Sequence, residues 1–241
     1  MGSIGSRWAI HPDVAKQHSL SVIVCAHKEG DEVRKTVASI LDHGDEVGRL
    51  QVIVGDDGAP DGCCDGMPSG VEVLRMGRHA GRGVTANEAA KHATGDVLLY
   101  PDAHMRVPAG ALGNVLATAH EYQAVTCAGV QGEEKDHGCQ GWGAAFRFHR
   151  RGRLGVRFCQ PEGGMTPGEA VQVEQPFGGF YAFPRPIFDR LGGWTDTAAC
   201  WGYCEQPIGF MAWCLDVPIL AVPDIISHKF RKVNPAGANE T

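Results

Sequence analysis

The sequence predicts an α/β fold in which helices flank a mostly parallel central sheet. Short apolar runs rich in β-branched residues alternate with segments of helical periodicity, the pattern typical of such sheets. Polar clusters follow the ends of three of these runs, where open α/β sheets bind their ligands. The chain has 241 residues and shows no internal repeat and no dividing linker, so we expect one large domain.

The first half of the chain is the most regular. The run Leu20–Cys25 predicts a buried parallel strand, followed by a helix over Glu32–Leu41 that Asp31 is expected to cap. Apolar residues of this helix recur at i, i+4, i+7 and i+8 and therefore form one face. The runs Leu50–Val54 and Val71–Met76 predict the second and third strands.

The later patterns are less regular. A glycine-rich stretch, Gly77–Gly83, leads into a predicted helix over Thr85–Ala93 and a fourth strand over Val97–Tyr100. Between Gly129 and Gly168 we expect long loops with a single strand. The further predicted elements are a helix from Pro108 to His120, the strands Ala144–Phe148 and Gly178–Phe183, and a helix from Pro207 to Leu215.

Composition and charge limit the functional classes. A hydrophobic content of 43% and a charged content of 21% are ordinary for a globular domain, and a net charge of −6 gives no general attraction to nucleic acid or anionic membranes. No apolar run reaches transmembrane length and the N-terminus lacks the apolar core of a signal peptide, which predicts a cytoplasmic protein. The nine cysteines are expected to be free thiols; the alternative is zinc bound by Cys63 with Cys64 or by Cys200 with Cys204.

Asp102 and His104 are the residues around which the functional prediction is built. They lie two residues apart in an extended segment, so their side chains leave the same face of the chain. A carboxylate and an imidazole can share one divalent metal, and His228, after the apolar run Ile219–Ile226, is a candidate third ligand. With a diphosphate nearby, this set suits Mn²⁺ better than zinc. The alternative is that Asp102 caps a turn and His104 is a surface histidine.

The context of these residues resembles a known family. The spacing of Gly81, Asn87 and Asp96 is similar to that in family 2 glycosyltransferases, while the Asp102-Ala103-His104 motif resembles the metal motif of polypeptide N-acetylgalactosaminyltransferases. The resemblance extends over roughly residues 18 to 232 and implies a GT-A-type nucleotide-diphospho-sugar transferase fold. The other matching segments, in the same order, are His27-Lys28-Glu29, Asp56-Asp57, Gly178-Gly179-Phe180-Tyr181-Ala182, Leu191-Gly192-Gly193-Trp194, Trp201-Gly202 and Ser227-His228-Lys229-Phe230-Arg231.

The resemblance implies a glycosyltransferase that uses a UDP-sugar and Mn²⁺, with Mg²⁺ as the alternative ion. Asp102, His104 and His228 would hold the metal against the diphosphate, and Asp57 would bind the uracil or ribose. Gly178 and Gly179 would allow the backbone to approach the sugar closely. The remaining residues expected in the donor site are Ala26, His27, Glu29, Asp56, Asn87 and Trp201. The domain would cover residues 19–232, after an extension over 1–18 and before a disordered tail over 233–241.

The sequence departs from the family where acidic residues follow Trp201-Gly202. Glu205 is displaced by one position relative to the family pattern. If the enzyme inverts the sugar configuration, a base is required near the acceptor, and Glu205 and Asp196 are the candidates. If it retains the configuration, no such base is needed. The sequence leaves both alternatives open.

An arginine-rich segment, Arg147–Arg157, is expected to contribute to the acceptor site. Arginine forks bind phosphates and aromatic rings stack on bases, so DNA carrying a hydroxymethylated base is one hypothesis for the acceptor. A peptide serine or threonine is another, by analogy with the family, and a small molecule is a third. The alternative for the segment is a solvated loop whose arginines pair with the acidic residues of the chain. The residues assigned to the acceptor are Arg147, Arg150, Arg151, Arg153 and Trp142.

Other functional classes are less consistent with the sequence. A protein that binds a sugar nucleotide without turnover would keep Asp57, Asp102 and His104. A nucleotidyltransferase would carry a glycine-rich loop after the first strand, where this chain has His27-Lys28-Glu29. An NAD enzyme would need its glycines at the same place. A zinc hydrolase would need an open zinc site with a general base beside it.

Overall fold

The fold is an α/β domain with a central sheet, to which the described residues contribute ten strands, and with helices on both faces. The computed structural model describes residues 4–133, 141–148, 154–161, 163–195 and 205–229. The strands are β1 Arg7–Ala9, β2 Ser19–Ala26, β3 Arg49–Asp56, β4 Val71–Arg75, β5 Val97–Pro101, β6 Met105–Arg106, β7 Val125–Gly132, β8 Ala144–Phe148, β9 Leu154–Phe158, β10 Glu169–Gln172, β11 Phe180–Pro184 and β12 Ile219–His228.

The sheet combines a parallel half with a mixed half. Its order is β1-β10-β12-β7-β11-β5-β2-β3-β4, and β6 pairs with β12 beside this path. Strands β5, β2, β3 and β4 are parallel, as are β7 and β12. Strand β11 joins these two groups and is antiparallel to both of its neighbours, β5 and β7. Strands β8 and β9 form a separate antiparallel hairpin.

In the described part of the chain, six α-helices cover the two faces of the sheet. They are α1 Pro12–Ala15, α2 Glu32–Leu41, α3 Arg82–His92, α4 Ala111–Tyr122, α5 Arg185–Leu191 and α6 Glu205–Cys214. Apolar residues of α1, α2 and α4 pack in one core layer, and those of α3, α5 and α6 pack in the other. Strand residues alternate between the layers: Val52 and Val54 belong to the first and Ile53 to the second. The central strands are therefore buried on both faces, as their continuous apolar runs predict.

The elements predicted in the first half are confirmed with small shifts at their ends. Helix α2 has the predicted bounds, but the carboxylate of Asp31 accepts a hydrogen bond from Arg34 at 3.1 Å and makes no capping bond to the helix backbone. Helix α3 begins three residues before the predicted Thr85. Gly81, with φ of +95°, directly precedes the helix. Arg82 and Gly83, the last two residues of the glycine-rich stretch, therefore belong to its first turn.

Two later helices also begin at other residues than predicted. Pro108 does not open helix α4, because Gly110 has a left-handed conformation and separates the proline from the helix start at Ala111. Helix α6 begins at Glu205, two residues before Pro207, since proline is tolerated in the first turn of a helix. The strand predicted at Ala144–Phe148 has the predicted bounds, and the one at Gly178–Phe183 begins two residues later.

Several elements are not predicted from the sequence. Strand β7 lies near the centre of the sheet, but its residues, VTCAGVQG, include few strong strand formers. Strand β9 lies in the region predicted to be loops. At the N-terminus, β1 pairs with β10 and α1 packs against α4, so this segment, predicted as an extension, contributes to the fold. Within the described residues, no helix has both the length and the apolar character needed to cross a membrane.

Candidate metal and nucleotide site

The carboxyl ends of β2, β3 and β5 lie at one edge of the sheet, because these strands are parallel. The structure brings together there the polar clusters that follow each strand. The ring Nδ1 of His27, after β2, lies 3.0 Å from the carbonyl oxygen of Asp57, after β3. Glu29, also after β2, reaches His104, after β5. The convergence predicted from the sequence is therefore present.

Asp102, His104 and His228 form the one group of three or more potential metal ligands among the described residues. One ligand atom from each lies within 4.8 Å of the others. Asp102 directly follows β5, and His228 ends β12, whose pairing with β6 places it opposite Met105. The third residue, His104, accepts a hydrogen bond from the backbone of Lys229 through its carbonyl oxygen. Sheet pairing thus brings together residues separated by more than 120 positions.

The donor set fits a divalent metal. Oε2 of Glu29 lies 3.1 Å from Nδ1 of His104 and leaves Nε2 of that ring as the atom that can bind an ion. A carboxylate on the far nitrogen is the usual support of a metal-binding histidine. The Nε2 atom of His228 already points toward Asp102, with 3.4 Å between it and Oδ2. The ligand roles of the three residues stay predictions with a geometry that suits them.

Two adjacent glycines adjoin the group. Gly178 and Gly179 have φ values of +107° and +79°, which glycine adopts without strain. A Cβ on Gly179 would lie 2.2 Å from Oδ2 of Asp102, and one on Gly178 would lie 2.5 Å from Val130. The carbonyl of Gly179 also accepts a hydrogen bond from the backbone N–H of Asp102 at 2.8 Å. Glycine at position 179 therefore leaves the space that the Asp102 carboxylate occupies, and glycine at position 178 leaves space for Val130.

The partly buried guanidinium of Arg82 neutralises Asp102. Burial acts to raise the pKa of this carboxyl, but Arg82, with Nη2 3.2 Å from Oδ1, and the hydrogen bond to His228 bring the pKa below its usual value. Arg82 is the first residue of α3, and its guanidinium lies over the ring of Trp194 at 4.9 Å from the centroid. Arg82 is not among the residues predicted from the sequence, since no motif marks it.

The acidic pair after β3 is engaged within the protein. The buried Asp57 carboxylate accepts hydrogen bonds from the backbone of Ala80 and Gly81 and from the hydroxyl of Thr85, at 2.6 to 3.1 Å. Nδ1 of His79 lies 2.9 Å from the same carboxylate. Asp56 accepts from the backbone of its own turn and pairs with Arg75 at 2.7 Å. The predicted contact of Asp57 with uracil or ribose stays a prediction, and its observed bonds fix the turn before α3.

The remaining donor-site residues have distinct environments. Ala26 is buried at the end of β2, and the ring of His27 stacks on that of His79 with 4.1 Å between centroids. The amide of Asn87 bonds both the N–H and the carbonyl of Trp194, at 2.9 and 2.8 Å, and so fixes the turn that carries this indole. Trp201 lies outside the described residues.

Glu205 is linked to the metal group through one tyrosine. The buried Tyr181 hydroxyl accepts a hydrogen bond from the backbone N–H of Gly179 at 2.7 Å and donates one to Oε1 of Glu205 at 3.1 Å. Burial raises the pKa of Tyr181 well above its usual value, which keeps the hydroxyl protonated. Whether Glu205 acts as a base stays a prediction. The other candidate, Asp196, lies outside the described residues.

The residues predicted to bind the acceptor do not form a described surface. Trp142 was predicted to stack on an exposed base, but its indole is 8% exposed and packs against Gly129. A ring enclosed by the core does not favour stacking on a base, and the acceptor role of Trp142 stays a prediction. Arg147 lies in β8 opposite Gly155, while Arg150, Arg151 and Arg153 lie outside the described residues.

Comparisons with known proteins agree with this geometry. Residues 21–167 match the family described as glycosyl transferase family 2. The chain is 27% identical to polypeptide N-acetylgalactosaminyltransferase 11 of Xenopus tropicalis over 90% of its own length and 39% of the relative's. It is 24% identical to polypeptide N-acetylgalactosaminyltransferase 5 of Caenorhabditis elegans, over 89% of its length and 37% of the relative's. The chain therefore spans well under half of these relatives.

Two solved structures share the fold. GalNAc-T7, crystallised with UDP, GalNAc and Mn²⁺, superposes with a TM-score of 0.70 at 20% identity over 89% of this chain and 44% of that one. The mannosyltransferase PcManGT from Pyrobaculum calidifontis, in complex with GDP-Man and Mn²⁺, gives 0.64 at 18% identity over 94% of this chain and 60% of that one. The predicted GT-A-type fold is confirmed.

Proposed function

The chain belongs to glycosyl transferase family 2, and we propose that it transfers a sugar from a nucleotide-diphosphate donor to an acceptor hydroxyl with the help of a divalent metal. The observation that carries the proposal is the grouping of Asp102, His104 and His228 at the carboxyl edge of the sheet. A bound metal there would neutralise charge on the departing diphosphate. Glu29 would orient His104, and Gly179 would keep the approach to Asp102 open.

UDP is the nucleotide that we propose for the donor. The support is the UDP and Mn²⁺ in the structure of GalNAc-T7 and the likeness to two polypeptide N-acetylgalactosaminyltransferases. A hexose or an N-acetylhexosamine is the proposed sugar, with N-acetylgalactosamine as the first candidate. GDP-mannose is the competing donor, because PcManGT carries it on the same fold. Mn²⁺ is common to both structures.

The acceptor proposed here is a serine or threonine hydroxyl of a peptide. The support is the name that the curated relatives share, since both are polypeptide transferases. A small-molecule acceptor is the alternative. The comparisons give no support to the DNA hypothesis. The described residues give none either, because the ring of Trp142, which was expected to stack on a base, is buried.

The proposal is tested by release of the nucleoside diphosphate. Purified protein is incubated with Mn²⁺ and separate UDP-sugars or GDP-mannose, with and without a serine- and threonine-rich peptide mixture and with and without EDTA. We expect release from one UDP-sugar that stops with EDTA and falls by about 100-fold or more in Asp102→Asn and His104→Gln. His92→Gln is the matched control, because His92 is half exposed and pairs with Glu72 away from the site.

The outcomes separate the alternatives. Release from GDP-mannose alone would contradict the proposed donor and leave the class intact. UDP-sugar binding without release under any acceptor condition would indicate a protein that binds sugar nucleotides without turnover. Absence of Mn²⁺-dependent binding of both nucleotides would overturn the proposal.

A further inference from the structure

The two carboxylate oxygens of Asp102 have different partners. Oδ1 lies 3.2 Å from Nη2 of Arg82, whereas Oδ2 lies 3.4 Å from Nε2 of His228. Of the three candidate metal ligands, Asp102 is the only one that carries a negative charge, because a histidine binds metal as the neutral imidazole. Arg82 therefore neutralises the one anionic ligand through the oxygen that does not face His228.

The position of Arg82 is fixed by its helix, by the ring of Trp194 and by its ion pair with Asp102. It is the first residue of α3, so its backbone is held by the helix. Its guanidinium lies over the ring of Trp194, and Asn87 fixes the backbone of that tryptophan. The side chains of Arg82 and Asp102 are each only 25% exposed, so water screens the pair less than it screens a surface ion pair. The positive charge of Arg82 is thus held beside Asp102 by the surrounding structure.

A divalent ion that entered this site alone would meet an unfavourable charge balance. Its anionic ligand is already paired, and the guanidinium repels a second cation at close range. A nucleoside diphosphate changes this balance, since its phosphates attract both the ion and Arg82. The ion and the nucleotide then each favour the binding of the other, which is a coupling free energy between two ligands.

From this geometry we propose that Arg82 makes metal binding dependent on the nucleotide diphosphate. The inference rests on the proposed function and adds an order to it: the ion enters with the donor nucleotide rather than before it. Arg82 is a positioning residue in this scheme, because it acts through Asp102. The ion is then held weakly once the diphosphate has left.

The test measures Mn²⁺ affinity directly, from the electron paramagnetic resonance signal of free Mn²⁺. The full chain, Arg82→Gln and Arg82→Lys are each titrated without nucleotide and with saturating UDP. We expect Arg82→Gln to bind Mn²⁺ without nucleotide about tenfold more tightly than the native chain does. The factor by which UDP tightens Mn²⁺ binding should be about tenfold smaller in this variant than in the native chain. Arg82→Lys keeps the charge and should retain the native coupling within about threefold.

Thermal unfolding checks that each variant is folded. If Arg82→Gln does not fold, Arg82→Met takes its place, because the methionine chain keeps apolar contact with Trp194. Equal or weaker Mn²⁺ binding in the neutral variant, or an unchanged effect of UDP, would overturn the role of Arg82. A native chain that binds neither Mn²⁺ nor UDP would instead overturn the proposed function on which the inference rests.

Discussion

A Cβ atom on Gly179 would lie 2.2 Å from Oδ2 of Asp102, closer than any carbon and oxygen can pack without displacement. The same glycine donates its N–H to Tyr181 and accepts the N–H of Asp102 through its carbonyl. Gly179, which directly precedes β11, therefore fixes the position of Asp102 through a backbone hydrogen bond and leaves room for its carboxylate.

Gly179→Ala should displace Asp102 and weaken Mn²⁺-dependent UDP binding by about tenfold or more, measured by calorimetric titration. The matched control is Gly168→Ala. Gly168 has a similar φ of +81°, but open space surrounds its Cβ position. The control should lower the free energy of unfolding by about 1 kcal/mol and leave binding unchanged. Equal binding in both variants would show that the clash with Asp102 does not matter.

Glu29→Gln should weaken Mn²⁺ binding in the presence of UDP by about 10- to 100-fold, because the variant loses the carboxylate that orients His104. Glu121→Gln removes a comparable partner, since Glu121 lies 2.8 Å from Nδ1 of the exposed His11. That control should bind Mn²⁺ as the native chain does. A Glu29 variant with native affinity would mean that the backbone alone orients His104.

Asp57→Asn should lower the free energy of unfolding by about 1–3 kcal/mol in urea titrations. Its carboxylate accepts from two backbone N–H groups and from the Thr85 hydroxyl, and an amide nitrogen in place of one oxygen cannot accept. UDP binding should weaken as well, because this turn adjoins the site.

The control for this variant is Asp96→Asn. Asp96 also accepts from a backbone N–H and a hydroxyl, both of Ser19, but it precedes β5 at the opposite edge of the sheet. It should cost stability without changing UDP affinity. If Asp57→Asn lost affinity at native stability, the carboxylate would bind the nucleotide directly, as predicted from the sequence.

Stability should depend on Glu32 in a pH-dependent way. Its side chain is 14% exposed and contacts Lys35, Arg106 and Lys229. These contacts lower the pKa of Glu32 from 4.5 to about 2, and the hydrogen bond with Lys35 has the largest effect. The folded state holds the charged form, so the stabilisation is full above pH 4.5 and is lost as the pH falls toward 2.

Glu32→Gln should therefore lower the free energy of unfolding by about 1–3 kcal/mol at pH 7, and the difference from the native chain should narrow below pH 4.5. Urea titrations at pH 7, 5 and 3 measure it. Glu88→Gln removes a single exposed pair with Lys91 and should change stability by less than about 0.5 kcal/mol at every pH. A constant difference between Glu32→Gln and the native chain across this range would contradict the shifted pKa.

The parallel half of the sheet is predictable from the sequence alone. The run Leu20–Cys25 is apolar at every position except Ser21, a pattern typical of strands covered on both faces. Because parallel strands end at a common edge, the sequence also indicated that Glu29, Asp57, Asp102 and His104 would meet. Their convergence needed no knowledge of side-chain packing.

The contacts that these residues make depend on long-range pairing in the folded chain. The pairing of β12 with β6 and β7 brings His228 to Asp102 across the chain, and no local pattern encodes that register. Arg82 was missed because its significance lies in a contact with Asp102, twenty positions away. The burial of Trp142 was not predicted, because an aromatic residue in a glycine-rich segment suits a core or a surface equally. Burial and long-range pairing depend on the whole fold, so only the folded chain separates these alternatives.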